Sequence, residues 1–332
     1  MSPPTPTQFP VRLAVPTSSV LADISIEMRP TVKEPVYPVS AFGSHWKLLH
    51  LPGLPLKNTL NKCWYHAGLH LLSTIPALRL LCSSPPKGIT MFEKRFLAAV
   101  HAIVQSRRPG IVASFFPLVS DFSGINNRYG QKAVPDFLEH LFGQSPNLAP
   151  VVKFTFSSKL TCSNCRWVSE RLSDDLSLKL HLPPGSNDIS LMDLVNFNSN
   201  TTLTGKDAVF CGNCRLKTSQ QQARTFKPDL LIMEVVRAKK HGNNFWSKNT
   251  ASISFPITDV KLPGFSRSYR VVGTCHHRGT LNSGHWITKV LTNGGWHELD
   301  DLVGKSLVTS PPGVSDDSVT IILLIAEDKL RV

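Results

Sequence analysis

The chain has 332 residues, of which 41% are apolar and 18% charged, and it carries a formal net charge of +13. This composition predicts a globular protein of about two folding units and excludes a wholly disordered chain. No apolar run approaches the ~18 residues of a transmembrane helix, and the N-terminus lacks a charged region followed by an apolar one. We therefore expect neither secretion nor membrane insertion, but an intracellular protein of the nucleus or cytoplasm.

The first segment, residues 1–46, is predicted to be a disordered, proline-rich leader. Eight of the 25 prolines fall within its first 40 positions, with Ser and Thr between them. Such a composition favours extended chain over a packed core.

Helices are predicted next, in the part of the chain that follows the leader. The apolar run after Cys63 predicts a buried helix, and Pro76 breaks it or opens a second helix capped by Ser73 or Thr74. Helical spacing of apolar residues predicts further helices over 92–104, ended by residues 107–110, and over 135–142.

From Val151 onward the pattern changes to strands. Apolar and β-branched runs separated by Gly, Pro, Asn and Ser predict strands within 151–156, 176–184, 229–237, 269–277, 285–291 and 319–326. A helical first third followed by a β-rich remainder predicts an α+β fold.

Seven cysteines, an odd number, without a signal peptide favour metal ligation or catalysis over a disulfide framework. Four of them form two C-x-x-C pairs separated by 45 residues, which are Cys162 with Cys165 and Cys211 with Cys214. This pattern predicts a structural Zn²⁺ site with four thiolate ligands, although a redox pair or ordinary cysteines remain alternatives. Asn164 and Gly212 suit such tight knuckles, because both residue types tolerate the left-handed backbone conformation. Cys82 and Cys275 are predicted to be core residues.

Cys63 is the candidate nucleophile. It begins a predicted helix, where the partial positive charge of the N-terminus stabilises a thiolate. Asn58 and Asn61 precede it by five and two residues, and either side chain can donate to an oxyanion. The alternative is that Cys63 is a small buried apolar residue.

His285 is the candidate base. It follows a glycine at the start of a predicted strand, and the Asn293-Gly294-Gly295 turn leads into a second strand that ends at Asp300 and Asp301. A hairpin of this kind brings a carboxylate back to the imidazole and fixes its tautomer. A lone His or Asp pair on the surface is the alternative.

Four blocks in this order resemble the ubiquitin-specific protease family of papain-like cysteine isopeptidases. They are KNTLNKCWYHAGLHLLSTIPALR, the segment from SKLTCSNCRWVSERL to LMDLVNF, CGNCRLKTSQQQARTFKPDLLIMEVVR, and YRVVGTCHHRGTLNSGHWITKV with WHELDD. Together they cover roughly residues 52–328. The resemblance implies a catalytic domain over 47–332, with a helical thumb at about 47–150, zinc-bearing fingers at about 151–237 and a β-rich palm at about 238–330.

By this resemblance Cys63 is the nucleophile, His285 the general base, Asp300 its orienting partner and Asn58 the oxyanion donor, with Asp301 the close competitor of Asp300. The implied reaction is hydrolysis of the isopeptide bond after the C-terminal glycine of ubiquitin or a ubiquitin-like modifier. The implied cofactor is structural zinc, and the implied partners are the modifier and its conjugates.

The chain departs from the family in the segment QKAVPDFL, residues 131–138. Where relatives carry an acidic pair that grips the arginine-containing tail of ubiquitin, this chain has Ala133 and the shorter Asp136. This difference and the Cys63-Trp64 pair are similar to the USP-like SUMO isopeptidases. A basic surface also suits an acidic modifier such as SUMO. The alternative is that Asp136 is a surface helix residue with no role.

Two other classes of function remain open from the sequence. One is a catalytically weak scaffold that binds a ubiquitin-like protein. The other is a basic zinc protein that binds nucleic acid, which we do not favour because the positive charges are spread along the chain.

Overall fold

A computed structural model of the chain describes residues 46–49, 53–59, 61–120, 132–218, 220–226, 228–241, 245–308, 310–313 and 315–331. The predicted leader lies outside these residues except for Trp46, so its disorder stays a prediction.

Six α-helices lie within the described residues, and five of them precede residue 150. They are α1 (Cys63–Ser73), α2 (Pro76–Ser83), α3 (Met91–Val104), α4 (Pro109–Val119), α5 (Val134–Gly143) and α6 (Leu191–Ser199). Short 3₁₀ helices cover Ala149–Val151, Gly205–Asp207 and Glu327–Lys329. Within this described part, no helix combines the length and apolarity that crossing a bilayer requires.

The start of α1 at Cys63 confirms the sequence-based prediction, but two helix boundaries differ from it. The hydroxyls of Ser73 and Thr74 donate to carbonyls of α1, at 2.7 and 2.6 Å, so these residues close α1 instead of capping α2. The residue before α2 is Ile75, which makes no side-chain cap. Pro109 was expected to end α3, but it opens α4, because proline suits the first turn of a helix.

Strands dominate the rest of the chain. They are β1 (Trp46–Lys47), β2 (Phe154–Cys162), β3 (Val168–Asp175), β4 (Leu178–His181), β5 (Asp188–Ser190), β6 (Asn200–Leu203), β7 (Val209–Phe210), β8 (Lys217–Thr218), β9 (Gln220–Phe226), β10 (Leu230–Val236), β11 (Ala238–His241), β12 (Phe245–Lys248), β13 (Ser252–Ser254), β14 (Val260–Lys261), β15 (Ser268–Gly279), β16 (Gly284–Thr292), β17 (Gly295–Asp300), β18 (Lys305–Val308), β19 (Val319–Ala326) and β20 (Leu330–Arg331). Each of the six predicted strand segments overlaps an observed strand, and the α+β prediction is confirmed.

The largest sheet has the strand order β18-β17-β16-β15-β19-β10-β4, with β14 paired to β15. Its central strands are buried on both faces, which explains the unbroken apolar run of β19. Along β19, Ile321, Leu323 and Ile325 pack on the helical side, whereas Ile322 and Leu324 pack against the core that contains α6. The sheet is therefore the layer that separates two hydrophobic cores.

Helix α1 is buried along its whole length between the other early helices and this sheet. Side-chain hydrogen bonds hold it to the sheet, since Thr288 Oγ1 on β16 donates to the carbonyl of Ala67 at 3.0 Å. The buried Trp286, also on β16, donates from Nε1 to the carbonyl of Lys132 at 3.1 Å. The first contact fixes α1 relative to β16, and the second fixes the segment before α5 relative to the same strand.

A second sheet, with strand order β3-β2-β9-β6, lies within the segment predicted to form the fingers. Its strands β2 and β3 form a long antiparallel hairpin that pairs from Phe154 opposite Asp175 to Thr161 opposite Val168. The hairpin turn contains the first C-x-x-C pair. The second pair lies between the short strands β7 and β8.

Candidate active site and metal centre

Cys63 is the first residue of α1, and its side chain is buried. The unpaired N–H groups of a helix N-terminus carry partial positive charge, which stabilises negative charge on this sulfur. The preceding turn is held by Asn58, whose Oδ1 accepts the backbone N–H of Lys62 at 3.0 Å. Asn61 takes a left-handed backbone conformation with φ of 54°, so the chain turns sharply just before the thiol.

His285 lies at the start of β16, and its imidazole is hydrogen-bonded to Cys63. On the other side, Nε2 of His285 donates to Oδ1 of Asp300 at 2.9 Å. The hydrogen bond to Cys63 is the main cause that raises the pKa of His285 to about 9; partial burial acts in the opposite direction, and Asp300 adds a smaller contribution that raises the pKa. The raised pKa favours the protonated form of the imidazole, which lies between Cys63 and Asp300.

Asp300 reaches His285 through the β16–β17 hairpin. The two strands pair from Thr292 opposite Gly295 to Thr288 opposite Leu299, which returns the end of β17 to the start of β16. Oδ1 of Asp300 also accepts the backbone N–H of Leu302 at 2.9 Å, so the carboxylate is oriented by its own turn.

Asp301, the close competitor, points elsewhere. Its Oδ1 is 3.7 Å from Nε2 of His285, beyond hydrogen-bond distance. Its Oδ2 instead accepts a hydrogen bond from Nδ1 of His66 at 2.6 Å, and both side chains are buried. The geometry gives Asp300, not Asp301, the direct contact with His285.

The backbone of Asn58 is hydrogen-bonded to Asp301, in the turn that follows β17. Its N–H donates to the carbonyl of Asp301 at 2.7 Å. Because its Oδ1 accepts from Lys62, the NH₂ of its side chain remains the group that can donate to an oxyanion. Asn61 is exposed and takes the left-handed conformation within the same turn, between Asn58 and Lys62.

His66 is the site residue that the sequence analysis missed. It lies three residues after Cys63, so the two side chains share a face of α1. That spacing was the available signal. Its partner Asp301 is 235 positions away, and the sequence gives no indication of that pairing.

Gly284 fits a position where no side chain can be accommodated. A Cβ atom there would lie 2.3 Å from the carbonyl oxygen of Arg278 and 2.5 Å from Nε2 of His277. His277 is buried against Trp286, with ring centroids 4.7 Å apart, and burial, Lys248 and His285 lower its pKa to about 4. His277 is thus a neutral packing residue beside His285.

The four cysteines of the two C-x-x-C pairs converge. Their sulfurs all lie within 4.8 Å of one another, with Cys162 to Cys214 at 3.9 Å and Cys165 to Cys211 at 3.6 Å. A tetrahedron of thiolates around zinc, with Zn–S bonds of about 2.3 Å, requires sulfur separations of about 3.8 Å. The donor set and its spacing therefore fit zinc.

The two knuckles have matching backbone hydrogen bonds. Cys162 N–H donates to the carbonyl of Trp167 at 2.9 Å, and Cys211 N–H to that of Leu216 at 3.0 Å. In each knuckle the left-handed residue follows the second cysteine, so it is Arg166 or Arg215, with φ of 61° and 57°. Asn164 and Gly212, which tolerate this conformation, do not take it, since the left-handed residue lies two positions after Asn164 and three after Gly212.

Gly212 leaves room for a side chain of the other knuckle. A Cβ atom there would lie 2.9 Å from the ring of Trp167, so the indole of one knuckle packs directly on the backbone of the other.

Hydrogen-bond donors prepare two of the sulfurs, those of Cys162 and Cys165, as ligands. For Cys211 the backbone N–H of Cys214 lowers the pKa, but burial and the neighbouring thiols outweigh it and raise the pKa to about 11. The backbone N–H of Cys165, followed by the hydroxyl of Thr218, lowers the pKa of Cys162 to about 6. The backbone N–H of Trp167 and the amide of Asn213 likewise lower the pKa of Cys165. Metal-binding cysteines must be deprotonated, and these donors favour that form.

The other two cysteines lie in apolar surroundings. Cys275 is fully buried and Cys82 partly so, and burial raises the pKa of each thiol to about 12. The core prediction is confirmed for Cys275, whereas Cys82 lies at the margin of the core.

Ala133 and Asp136 lie at the start of α5, where Ala133 is the N-cap and Asp136 is in the first turn. Asp136 is exposed, as is Glu139 one turn later, and Glu139 is 3.8 Å from the ammonium of Lys179. Residues 132–138 of the divergent segment are described, and Gln131 lies outside the described residues.

Residues 54–318 match the sequence profile of the family described as ubiquitin carboxyl-terminal hydrolase. The chain belongs to this family. This chain is 28% identical over 165 residues to ubiquitin carboxyl-terminal hydrolase 46 of Caenorhabditis elegans, a match that covers 46% of this chain and 38% of that protein. It is 26% identical over 172 residues to probable ubiquitin carboxyl-terminal hydrolase 4 of Schizosaccharomyces pombe, covering 48% of this chain and 28% of that protein. The matches thus span well under half the length of these two relatives.

Solved structures with the same fold include the SAGA DUB module of Ubp8, Sgf11, Sus1 and Sgf73 bound to monoubiquitin. It matches with a TM-score of 0.67 and 18% sequence identity, over 83% of this chain and 69% of that one. The same module bound to ubiquitin aldehyde matches with a TM-score of 0.67 and 17% identity, over 83% of this chain and 70% of that one. These similarities show the ubiquitin-specific protease fold.

Proposed function

We propose that the chain is a thiol-dependent isopeptidase that hydrolyses the bond after the C-terminal glycine of ubiquitin or a ubiquitin-like modifier. The observation that carries this proposal is the hydrogen-bonded series from Cys63 to His285 to Asp300 at the N-terminus of α1. A thiol beside an imidazole whose second nitrogen is held by a carboxylate is the arrangement that nucleophilic acyl transfer requires.

In the proposed reaction the sulfur of Cys63 attacks the glycine carbonyl carbon. The carbonyl oxygen becomes an oxyanion, which the NH₂ of Asn58 stabilises by donating a hydrogen bond. His285 donates its proton to the lysine amine as the C–N bond breaks, which leaves a thioester on Cys63. Water then attacks the thioester, His285 accepts its proton, and the modifier leaves with a free carboxylate while the thiol is restored.

Ubiquitin is the first candidate modifier, because the family is named for it and a fold neighbour is bound to it. SUMO is the second candidate, and the observation that favours it is Ala133 at a position where relatives carry an acid. A buried or half-buried arginine that lacks its carboxylate loses a charge-assisted hydrogen bond, which is worth about 1.5–3 kcal/mol. A tail without arginines does not incur this loss.

We also propose that the four clustered cysteines hold one structural zinc ion. Four thiolates leave no open position for a substrate, so the ion would hold the two knuckles together and take no part in the reaction. The separation between the zinc ligands and Cys63 in sequence, and the placement of the two pairs at the β2–β3 and β7–β8 turns, support this division of roles.

The experiment that tests the proposal is turnover of isopeptide-linked substrates. Purified chain is incubated with ubiquitin and with SUMO joined to a lysine-containing fluorescent peptide, and release is followed with Cys63→Ala as the inactive variant and Cys82→Ala as the matched thiol control. We expect hydrolysis of at least one substrate, lost in Cys63→Ala and kept in Cys82→Ala. Binding of a modifier without hydrolysis would favour the scaffold alternative.

A further inference from the structure

A second imidazole–carboxylate pair lies beside the one that contains His285. Nδ1 of His66 is 2.6 Å from Oδ2 of Asp301, and their side chains are 9% and 4% exposed. The pair joins the first turn of α1 to the end of β17, two elements that carry Cys63 and Asp300. Neither partner is needed for the direct contact between His285 and Asp300.

From this pair, hydrogen bonds lead to Asn58. The carbonyl of Asp301 accepts the backbone N–H of Asn58 at 2.7 Å. The side-chain oxygen of Asn58 then accepts the backbone N–H of Lys62, the residue before Cys63, at 3.0 Å. Asn58, Lys62, His66 and Asp301 therefore form a closed ring of contacts, in which His66 connects the helix back to the strand end that holds Asn58.

The side chain of Asp301 depends on His66 for a hydrogen bond. Among the described residues, Oδ1 of Asp301 is buried and makes no hydrogen bond, and it lies 3.7 Å from Nε2 of His285. A buried carboxylate with one unsatisfied oxygen depends strongly on the partner of the other oxygen. Without His66, this carboxylate would move toward water or toward His285, and either movement displaces the carbonyl that holds Asn58.

We infer that His66 is a positioning residue, which fixes Asp301 and through the carbonyl of Asp301 holds the candidate oxyanion donor Asn58 in the turn before Cys63. This inference rests on the proposed function, because it assigns Asn58 a role in the reaction. A misplacement of about 1 Å in a preorganised site can cost about 10²-fold in rate. Loss of His66 is therefore expected to lower kcat and to leave KM nearly unchanged, because His66 is not placed on the substrate.

The test compares His66→Ala with His66→Asn, which keeps a donor at the position of Nδ1. The matched control is His101→Ala, on the exposed face of α3. Three quantities are measured for each: kcat and KM on the better isopeptide substrate, the rate of alkylation of Cys63 by iodoacetamide, and hydrogen–deuterium exchange of the peptide containing Asn58 to Lys62. Alkylation by iodoacetamide forms no oxyanion, so it reports the Cys63–His285 pair alone.

We expect His66→Ala to lower kcat by about 10- to 100-fold and to speed exchange at Asn58 to Lys62. Its KM and its alkylation rate should stay within about twofold of the native chain, and His66→Asn should recover most of the loss. Wild-type exchange together with wild-type kcat in His66→Ala would overturn the inference. So would a parallel fall in the alkylation rate, which would assign the effect to His285.

Two further arms keep the test decisive. If His66→Ala does not fold, the double variant His66→Leu with Asp301→Asn removes the buried charge along with its partner, and the same losses are expected. If the native chain shows no turnover on any modifier, the proposed function fails. The exchange measurement then decides the positioning of Asn58 by itself.

Discussion

Oδ1 of Asp300 accepts the Nε2 proton of His285 at 2.9 Å, which makes it the carboxylate in direct contact with the candidate base. The relationship separates two neighbouring aspartates that the sequence cannot distinguish. Asp301 is directed to His66 instead.

The first prediction concerns these two aspartates. Asp300→Asn should lower kcat by about 10²–10⁴-fold, because a neutral amide neither stabilises the charge of the imidazolium nor fixes the tautomer of the neutral imidazole. Asp301→Asn should cost far less, since its side-chain oxygen can still accept the hydrogen bond from His66. Steady-state kinetics on the isopeptide substrate measure both variants. Equal losses, or a larger loss for Asp301→Asn, would reverse the assignment.

The second prediction concerns pH. His285 has a pKa raised to about 9, chiefly by its hydrogen bond to Cys63, so it is protonated at neutral pH and loses its proton as the pH rises through this value. The general acid for the leaving amine is then lost. We expect kcat/KM to fall on the alkaline side near pH 9, and Asp300→Asn to move that fall to lower pH. A pH–rate profile with an alkaline fall near the ordinary histidine value would contradict this account.

The third prediction tests the close approach at Gly284. An added Cβ meets the carbonyl of Arg278 and the ring of His277, so Gly284→Ala must displace the start of β16 and with it His285. Overpacking of this kind costs about 1–3 kcal/mol, and activity should fall more than stability. Gly143→Ala is the matched control, because nothing lies within 4 Å of its Cβ position. Thermal melts measure the stability of both variants, and kcat/KM measures their activity.

The fourth prediction concerns the metal. Elemental analysis should find one zinc per chain, and Cys165→Ser should release it and lower the melting temperature. Metal sites of this type can contribute about 10 kcal/mol or more to folding of their segment. Cys82→Ser is the control, since Cys82 is not one of the four clustered cysteines and its sulfur lies at the margin of the core. Full zinc content in Cys165→Ser would remove this residue from the ligand set.

The fifth prediction concerns modifier choice. Ala133→Asp places an acid at the N-cap of α5, where the family resemblance of the sequence implies one. If the tail of the modifier passes this residue, the variant should hydrolyse the ubiquitin substrate faster and leave the rate with SUMO unchanged. Glu139→Gln, one turn beyond Asp136, controls for a general change of charge. Equal effects on both modifiers would exclude Ala133 as the cause of selectivity.

Much of the fold followed from local pattern in the sequence. The strand VTIILLIA is apolar throughout because β19 is buried on both faces, and it was predictable as a strand for that reason. The C-x-x-C spacing likewise predicted that Cys162 and Cys165 would lie with a second pair, and the four sulfurs do converge.

Long-range pairings could not be predicted in the same way. Helix α1 is buried on every side, so His66 carried no periodic signal that separated it from its apolar neighbours. Its partner Asp301 is brought close by a hairpin on another element. The left-handed arginines of the knuckles were missed for a related reason, because the sulfur cluster imposes a conformation that Arg166 and Arg215 do not favour by themselves.

The most direct test of the central claim is covalent capture of Cys63 by modifiers that end in an electrophile. Ubiquitin and SUMO probes are incubated separately with the native chain, with Cys63→Ala and with Cys82→Ala. The masses of the products are measured by intact mass spectrometry. We predict a single adduct with at least one probe, located on Cys63, absent from Cys63→Ala and retained in Cys82→Ala. No adduct with either probe, or an adduct that persists in Cys63→Ala, would contradict the assignment of Cys63 as the nucleophile.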